Sequence, residues 1–295
     1  MNNNRICLFG EVLFDVFPDG SQILGGAPFN VAWHLQAFAE QPCFISRVGS
    51  DLLGDQIAAA MQTWHMDLSE LQRDHDYPSG VVKVLIEQGE PSYQILPEQA
   101  YDYINAAQLH STSFNGILYH GSLALRNLVS RQALTAIKEN HQGLLFIDVN
   151  LREPWWQKID VLELLKGADW VKMNQDEFQV LHVVGNDLKQ SMRDFQLQYG
   201  LGCLLVTCGR HGAIAVDAAG EFHSVQPVAD LSITDSVGAG DAFAAVMLLG
   251  IQHNWPLPKI MARAQTFASA LLAKRGATVQ DKAFYQYFLH SWSLS

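Results

Sequence analysis

Residues 235–241, which read DSVGAGD, combine carboxylates with closely spaced glycines directly before an apolar run with helical character. Gly238 and Gly240 leave their peptide N–H groups open to a ligand, because no side chain stands in front of them. A helix start adds N–H groups without intrahelical partners and the positive end of the helix dipole. This combination predicts an anion-binding turn, and a phosphate group suits such a turn well.

Asp241 stands beside the predicted anion site and has two interpretations. It can cap the helix, which is the common role of a lone aspartate at a helix start. It can also act as a base, because an ordinary carboxylate is deprotonated at neutral pH and can accept the proton of a hydroxyl group that attacks phosphorus. The glycines favour the second interpretation, since a plain cap does not need them.

Common nucleotide-binding signatures are absent from the sequence. The pattern G-x-x-x-x-G-K-[ST] does not occur, which excludes a P-loop enzyme. No G-x-G-x-x-G follows the first predicted strand, which weakens the alternative of a dinucleotide-dependent oxidoreductase.

Composition limits the partners of the chain. Its 295 residues are 48% hydrophobic and 17% charged, as expected for an ordinary globular protein with one large domain. The net charge of -11 argues against nucleic acid and anionic membrane surfaces as partners. No apolar run reaches membrane-spanning length, and the apolar stretch near the N-terminus is too short for a signal peptide. The 4 cysteines are scattered, which favours reduced thiols and a cytoplasmic location.

Short apolar runs alternate with helix-period segments along most of the chain. Strands are predicted at 5–9, 43–47, 116–119, 144–148, 170–173 and 203–207, then at 213–216 and 221–224. Helices are predicted at 28–38, 55–64, 128–140, 153–165 and 187–199, with two long helices near the C-terminus. The alternation predicts a single α/β domain over residues 1–295, built on a mainly parallel sheet covered by helices on both faces.

Two segments interrupt the alternation. A hairpin is predicted within 79–95, where glycine and proline separate two extended runs, and another extended piece lies at 12–17. We expect these segments, about 12–24 and 76–105, to form a small β-sheet lid over the carboxyl ends of the strands, where open α/β sheets bind ligands.

The sequence resembles the ribokinase-like (PfkB) family of carbohydrate kinases over essentially its whole length. Residues 25–32, GGAPFNVA, with RVGSD at 47–51 and Gly54, are similar to the sugar-binding signature of that family. Residues 235–241 are similar to its anion-hole and catalytic-base signature. The resemblance implies a ribokinase-like Rossmann-type sandwich with a small β-sheet lid.

The resemblance also implies roles for individual residues. Asp241 would be the catalytic base, and the anion hole would consist of Gly238, Ala239 and Gly240. The sugar-binding residues would be Asp15, Gly25, Gly26 and Asn30, with Asp15 and Asn30 on adjacent strand-end segments. The residues near ATP would be Asn174, Thr207, Gly209, Gly212, Gly240 and Gln265. The metal-site residues would be Glu177, for Mg²⁺ through water, and Asp235, for a monovalent cation such as K⁺.

Within the family, residues 121–125 (GSLAL) and 148–155 (DVNLREPW) look most like fructokinases. Arg152 in the second motif has two interpretations, a contact to the transferring phosphate or a solvated arginine at a helix start. Between positions 76 and 105 the single basic residue Lys83 is outnumbered by acids. That charge balance favours a neutral sugar.

We therefore expect an ATP- and Mg²⁺-dependent kinase for a primary hydroxyl group of a neutral sugar, with D-fructose 6-phosphate as the favoured product. The alternatives are a 2-keto-3-deoxygluconate kinase, a riboside kinase, the oxidoreductase and a catalytically silent sugar-binding regulator. The resemblance also implies a homodimer formed through the lid.

Overall fold

The computed structural model describes residues 5–87, 90–185, 187–227 and 234–294. The strands, numbered along the chain, are β1 (Ile6–Phe9), β2 (Leu13–Val16), β3 (Gln22–Gly25), β4 (Cys43–Gly49), β5 (Leu71–Asp74), β6 (Gly80–Glu87), β7 (Glu90–Ile95), β8 (Ile117–His120), β9 (Leu144–Asp148), β10 (Trp170–Asn174), β11 (Cys203–Thr207), β12 (Ala213–Val216) and β13 (Phe222–Val225). The helices are α1 (Ala27–Ala37), α2 (Leu52–Thr63), α3 (Leu128–Asn140), α4 (Lys158–Leu164), α5 (Gln175–Leu181), α6 (Leu188–Tyr199), α7 (Ala239–Gln252), α8 (Leu257–Leu272) and α9 (Lys282–Trp292). Among those residues, no helix is both long and apolar enough to cross a membrane.

The central sheet has nine strands in the order β13-β12-β11-β10-β9-β8-β1-β4-β5. Every pair of neighbouring strands from β5 to β11 in this order is parallel. Strand β12 pairs antiparallel with β11 on one side and with β13 on the other. The strand order reverses at β1, which pairs with β4 on one side and with β8 on the other. Open α/β sheets bind ligands at the carboxyl side of such a switch point.

Both faces of the sheet are apolar because both are covered by helices. Side chains alternate between faces along a strand, so Ile6 and Leu8 of β1 join one core cluster and Cys7 and Phe9 join the other. The first cluster includes residues of α1, α2, α7, α8 and α9, and the second includes residues of α3, α4, α5 and α6. The predicted sandwich is confirmed.

A second sheet of four strands has the order β3-β2-β6-β7. Strand β2 pairs parallel with β6 and antiparallel with β3, and β6 and β7 form the antiparallel hairpin. The core cluster beneath this sheet contains Leu13, Val82 and Ile95 with Tyr101, Leu123 and Ala124. The small sheet is thus packed onto the central domain at one end.

Some elements differ from their sequence predictions. The helix expected at 153–165 begins only at Lys158, because residues 152–155 form a separate turn in which the Trp155 N–H donates to the Arg152 carbonyl, and Pro154 keeps Glu153 out of the helical conformation. The C-terminal region contains α7, α8 and α9 instead of two helices, and Pro256 separates α7 from α8. Strands β3 and β5 are also additions, and both are short and contain polar residues that gave no apolar signal.

Candidate active site

A cavity of about 600 Å³ lies between the carboxyl ends of the central strands, the small sheet and the start of α7. Its lining residues are Glu11, Leu13, Asp15, Gly26, Ala27, Asn30, Val82, Tyr93, Ile95, Leu123, Asp148, Asn150, Arg152, Lys172, Asn174, Glu177, Thr207, Ser236, Val237, Gly238, Gly240 and Asp241. The small sheet supplies one wall, which is mostly apolar, and most of the polar groups come from the ends of the central strands and the starts of α1, α5 and α7.

Asp241 lies in the first turn of α7, and the residue at the N-cap is Gly238, which makes no side-chain cap. The interpretation of Asp241 as the helix cap is therefore wrong. Its Oδ2 accepts a 2.8 Å hydrogen bond from Nδ2 of Asn30, which lies on α1 and not at a strand end. Burial raises the pKa of Asp241 to about 6, although the Asn30 hydrogen bond and the charges of Lys172 and Arg152 act to lower it. An acid with such a pKa is mostly deprotonated at neutral pH and suits a general base.

The turn before α7 has a backbone that requires glycine at one position. Gly238 has φ 80°, and a Cβ there would overlap Ala277, so any side chain would disturb both the turn and the loop behind it. At Gly240, a Cβ would stand 3.7 Å from Nζ of Lys172. The turn therefore presents bare peptide groups next to an ammonium group, which is an arrangement that favours an anion.

Lys172 and Asp148 form a buried ion pair under this turn. Nζ of Lys172 lies 2.8 Å from Oδ1 and 2.7 Å from Oδ2 of Asp148, and Tyr119 donates a hydrogen bond to Oδ2 from 3.3 Å. Both charged residues are buried on neighbouring strands and paired in register, Asp148 at the end of β9 and Lys172 within β10. Sequence reasoning missed Lys172, although a lysine inside the otherwise apolar strand at 170–173 was an available signal.

Asn174 and Glu177 join the end of β10 to the start of α5. The Asn174 side chain accepts a hydrogen bond from the Glu177 N–H, and Glu177 Oε2 accepts one from the Asn174 N–H. Glu177 Oε1 accepts a further 2.8 Å hydrogen bond from the Leu151 N–H. Burial raises the pKa of Glu177, and these backbone N–H groups act to lower it. The pair is thus held by backbone hydrogen bonds at the cavity edge, and both residues line the cavity.

Asp15 and Asn30 approach each other over Gly25. A Cβ on Gly25 would stand 3.8 Å from Oδ1 of Asn30 and 4.0 Å from Oδ2 of Asp15. Asn30 Oδ1 is buried and has no hydrogen-bond partner among the described residues. Burial raises the pKa of Asp15 to about 6, and the charge of Arg152 acts to lower it. A carboxylate and an amide oxygen therefore face the same part of the cavity.

Of the other site residues predicted from the sequence, some line the cavity and some do not. Arg152 lines the cavity, and it is not at a helix start because α4 begins at Lys158. The residues outside the lining are Gly25, Ala239, Gly209, Gly212, Asp235 and Gln265. Gln265 donates a hydrogen bond to Ser269 of its own helix. Asp235 accepts hydrogen bonds from the N–H groups of Val237 and Gly276, so it ties the turn to the loop after α8.

Glu11 is a site residue that sequence reasoning did not identify. It follows β1 closely, is 2% exposed and lines the cavity. Burial raises its pKa to about 7, and the charges of Arg152 and Asp241 act on it in opposite directions. The available signal was its position just after the first strand. A buried acid at such a position is unfavourable for folding and therefore indicates a binding role.

Comparison with known proteins gives the same family throughout. Residues 8–283 match the pfkB family carbohydrate kinases. The fructokinase of Escherichia coli is 30% identical over 268 residues, covering 85% of each chain. The aminoimidazole riboside kinase of Salmonella typhimurium is 27% identical over 285 residues, which are 92% of this chain and 85% of that one. A double mutant of the Vibrio cholerae O395 fructokinase, with fructose, ADP and a potassium ion bound, has a TM-score of 0.82 at 24% identity and covers 96% of this chain and 98% of its own.

The chain therefore belongs to the pfkB family of carbohydrate kinases. It is a fructokinase-like phosphotransferase with an alcohol group as acceptor, and the oxidoreductase alternative is wrong. The 24% identity to the solved structure supports the shared fold alone.

Proposed function

We propose that this protein transfers the γ-phosphoryl group of ATP to a primary hydroxyl group of a neutral sugar, with D-fructose as substrate and fructose 6-phosphate as product. The observation that carries the proposal is the location of Asp241, which lines the cavity, is held by Asn30 and belongs to the glycine turn at the start of α7. A base and an anion-binding turn within one helix turn are what phosphoryl transfer to an alcohol requires.

In the proposed reaction Asp241 accepts the proton of the sugar hydroxyl group. The hydroxyl oxygen forms a bond to the γ-phosphorus, and the bond from that phosphorus to the bridging oxygen of ADP breaks with its electrons remaining on ADP. Peptide N–H groups of Gly238, Ala239 and Gly240 stabilise the charge on the phosphoryl group during transfer. Lys172 adds positive charge beside Gly240.

Mg²⁺ is the metal that the site suits, with Asn174 and Glu177 holding it through water. Both residues line the cavity and offer oxygen atoms, which Mg²⁺ prefers, and each Glu177 oxygen keeps lone pairs beyond its one backbone hydrogen bond. Among the described residues no group of three or more His, Cys, Asp or Glu side chains could hold a metal ion, so waters and phosphates would complete the shell. The bound cation would neutralise phosphate charge.

We expect the nucleotide to bind along the edge of the cavity that starts at Thr207. Thr207 ends β11 and lines the cavity, and the following turn contains Gly209 and Gly212 at φ 53° and 82°. We assign this turn to ATP, with Gln265 near the adenine. Asp235 would bind K⁺ with the lone pairs that its two oxygens keep beyond the hydrogen bonds from Val237 and Gly276, in a loop that supports the anion hole. The small sheet would close as a lid and exclude water.

The charge of the cavity favours a neutral acceptor over 2-keto-3-deoxygluconate. Glu11, Asp15 and Asp241 line the acceptor side. Of the described lining residues, the cations are Arg152 and Lys172, and Lys172 is paired with Asp148. A substrate carboxylate would therefore meet more negative charge than positive.

The experiment is a coupled assay of ADP release with D-fructose, 2-keto-3-deoxygluconate, ribose and aminoimidazole riboside, each with Mg²⁺ and with or without K⁺. The proposal expects the highest kcat/KM with D-fructose. The similarity to an aminoimidazole riboside kinase makes the riboside the most informative competitor, and a higher kcat/KM with it would replace fructose as the substrate. Absence of ADP release with every acceptor would favour the silent sugar-binding regulator.

A further inference from the structure

Glu11 stands at the switch point of the central sheet, two residues after β1, and its role is not accounted for by the reaction above. Its side chain is buried at 2% exposure, and Oε2 has no hydrogen-bond partner among the described residues. A buried carboxyl oxygen without a partner is unfavourable for the folded protein, so its presence calls for an explanation.

The unpartnered oxygen belongs to a residue that lines the cavity together with Asp15, Asn30 and Asp241. Asn30 presents a second buried oxygen without a partner, Oδ1, on the neighbouring helix α1. The Gly26 backbone passes directly under Glu11, since a Cβ at Gly26 would stand 2.7 Å from the Glu11 carbonyl oxygen. Two unsatisfied acceptors therefore belong to residues that line the same cavity, beside the glycine pair at 25–26.

The charges around Glu11 do not satisfy it. Arg152 is near enough to favour its charged form, but no ion pair between the two is formed, and Asp241 acts in the opposite direction. The peptide N–H groups of Glu11 and Ala27 also favour the charged form. What is missing is a donor on the cavity side, and a sugar offers hydroxyl donors.

We infer that Glu11 is a substrate-binding residue that accepts a hydrogen bond from a sugar hydroxyl group other than the one that is phosphorylated. This inference rests on the proposed function, because it takes the cavity to bind a sugar. Asp241 would hold the reacting hydroxyl group, and Glu11 would fix the orientation of the sugar with respect to it. The side chain takes no part in proton transfer.

The test combines substitutions of Glu11 with deoxy sugars. Glu11→Met removes the acceptor at similar size, and Glu11→Gln retains one carbonyl oxygen. D-Fructose and its 1-, 3- and 4-deoxy derivatives are compared by kcat and KM. In the wild-type enzyme one derivative is expected to lose at least about tenfold in kcat/KM, as expected for a hydrogen bond to a charged group. In Glu11→Met that derivative and D-fructose are expected to be equally poor, and Glu11→Gln should recover part of the loss for D-fructose only.

Glu70→Gln is the matched control, because Glu70 is 5% exposed but both of its carboxylate oxygens accept a hydrogen bond from the His110 N–H away from the cavity. If the role of Glu11 were only structural, its substitution would lower the stability of the protein and would lower kcat equally with D-fructose and with every deoxy derivative. The KM for ATP would then change together with the KM for the sugar. That pattern, or equal losses with every derivative in both Glu11 variants, would overturn the inference. If Glu11→Met does not fold, Glu11→Gln with the same sugars decides. Absence of turnover of D-fructose by the wild-type enzyme would instead count against the proposed substrate.

Discussion

Asn30 and Asp241 are 211 positions apart in the chain, and Nδ2 of Asn30 donates a 2.8 Å hydrogen bond to Oδ2 of Asp241. The other end of the same amide, Oδ1, is buried and has no partner among the described residues. One side chain therefore orients the proposed base and offers an acceptor to the cavity. Because α1 and α7 pack on the same face of the sheet, this contact also couples the sugar-binding segment to the anion turn.

The first prediction concerns this hydrogen bond. Asn30→Leu removes the contact that lowers the pKa of Asp241, so that pKa should rise. The acidic limb of kcat/KM against pH should then move to higher pH, while Asn140→Leu, which changes an exposed amide bonded within α3, should leave it in place. An unshifted limb in Asn30→Leu would contradict the assignment of Asp241 as the titrating base.

The second prediction concerns the wild-type pH profile. Burial raises the pKa of Asp241 to about 6, and a protonated carboxyl group cannot accept a proton, so kcat/KM should fall by about tenfold per pH unit below that value. Glu11 and Asp15 titrate in the same cavity and steepen the fall. The measurement is log kcat/KM between pH 5 and 8, with tryptophan fluorescence recorded to exclude unfolding. A flat profile to pH 5 would contradict the prediction.

The third prediction concerns the glycine turn. Gly238→Ala should destabilise the protein more than Gly167→Ala, although both positions have positive φ, because only the first places its Cβ against Ala277. Gly167→Ala should cost about 1–2 kcal/mol from backbone conformation, and Gly238→Ala about 1–3 kcal/mol more from overlap. Urea unfolding measures both costs. Turnover should fall only in Gly238→Ala, and equal stability of the two variants would disprove the packing argument.

The fourth prediction concerns the buried pair of Lys172 and Asp148. Lys172→Met leaves the Asp148 carboxylate without its partner, and such a loss costs about 3–5 kcal/mol. Lys166→Met is the control, since the ion pair of Lys166 with Glu163 is exposed and should contribute less than about 1 kcal/mol. Denaturant unfolding of the two variants checks the difference. Similar stabilities would mean that Lys172 does not compensate Asp148.

Much of the fold follows from the sequence because the signals are local. The strands at 144–148 and 203–207 and the helix at 128–140 coincide with the observed β9, β11 and α3, since continuous apolar runs and helical periodicity mark them without any tertiary information. Helix α5 is not among the predicted helices, although the N-x-x-E pattern, in which Asn174 and Glu177 exchange hydrogen bonds at its start, was an available signal.

The rest depends on contacts that no local pattern encodes. Glu11 and Lys172 are charged residues inside or beside apolar strands, and their importance comes from where β1 and β10 end relative to α7. The late start of α4 depends on a turn at Pro154 that the helical spacing of 153–165 conceals. The expectation that Asn30 lies at a strand end is wrong, because its amide reaches Asp241 from within α1.

The most direct test of the proposed reaction is the turnover of Asp241→Asn, which keeps the side-chain shape and removes the base. Turnover of D-fructose should fall by about 100- to 10,000-fold in the coupled assay of ADP release. ATP binding, measured by calorimetry, should be nearly unchanged because the nucleotide is expected at the edge that Thr207 begins. Near-normal turnover by Asp241→Asn would contradict the assignment of Asp241 as the base.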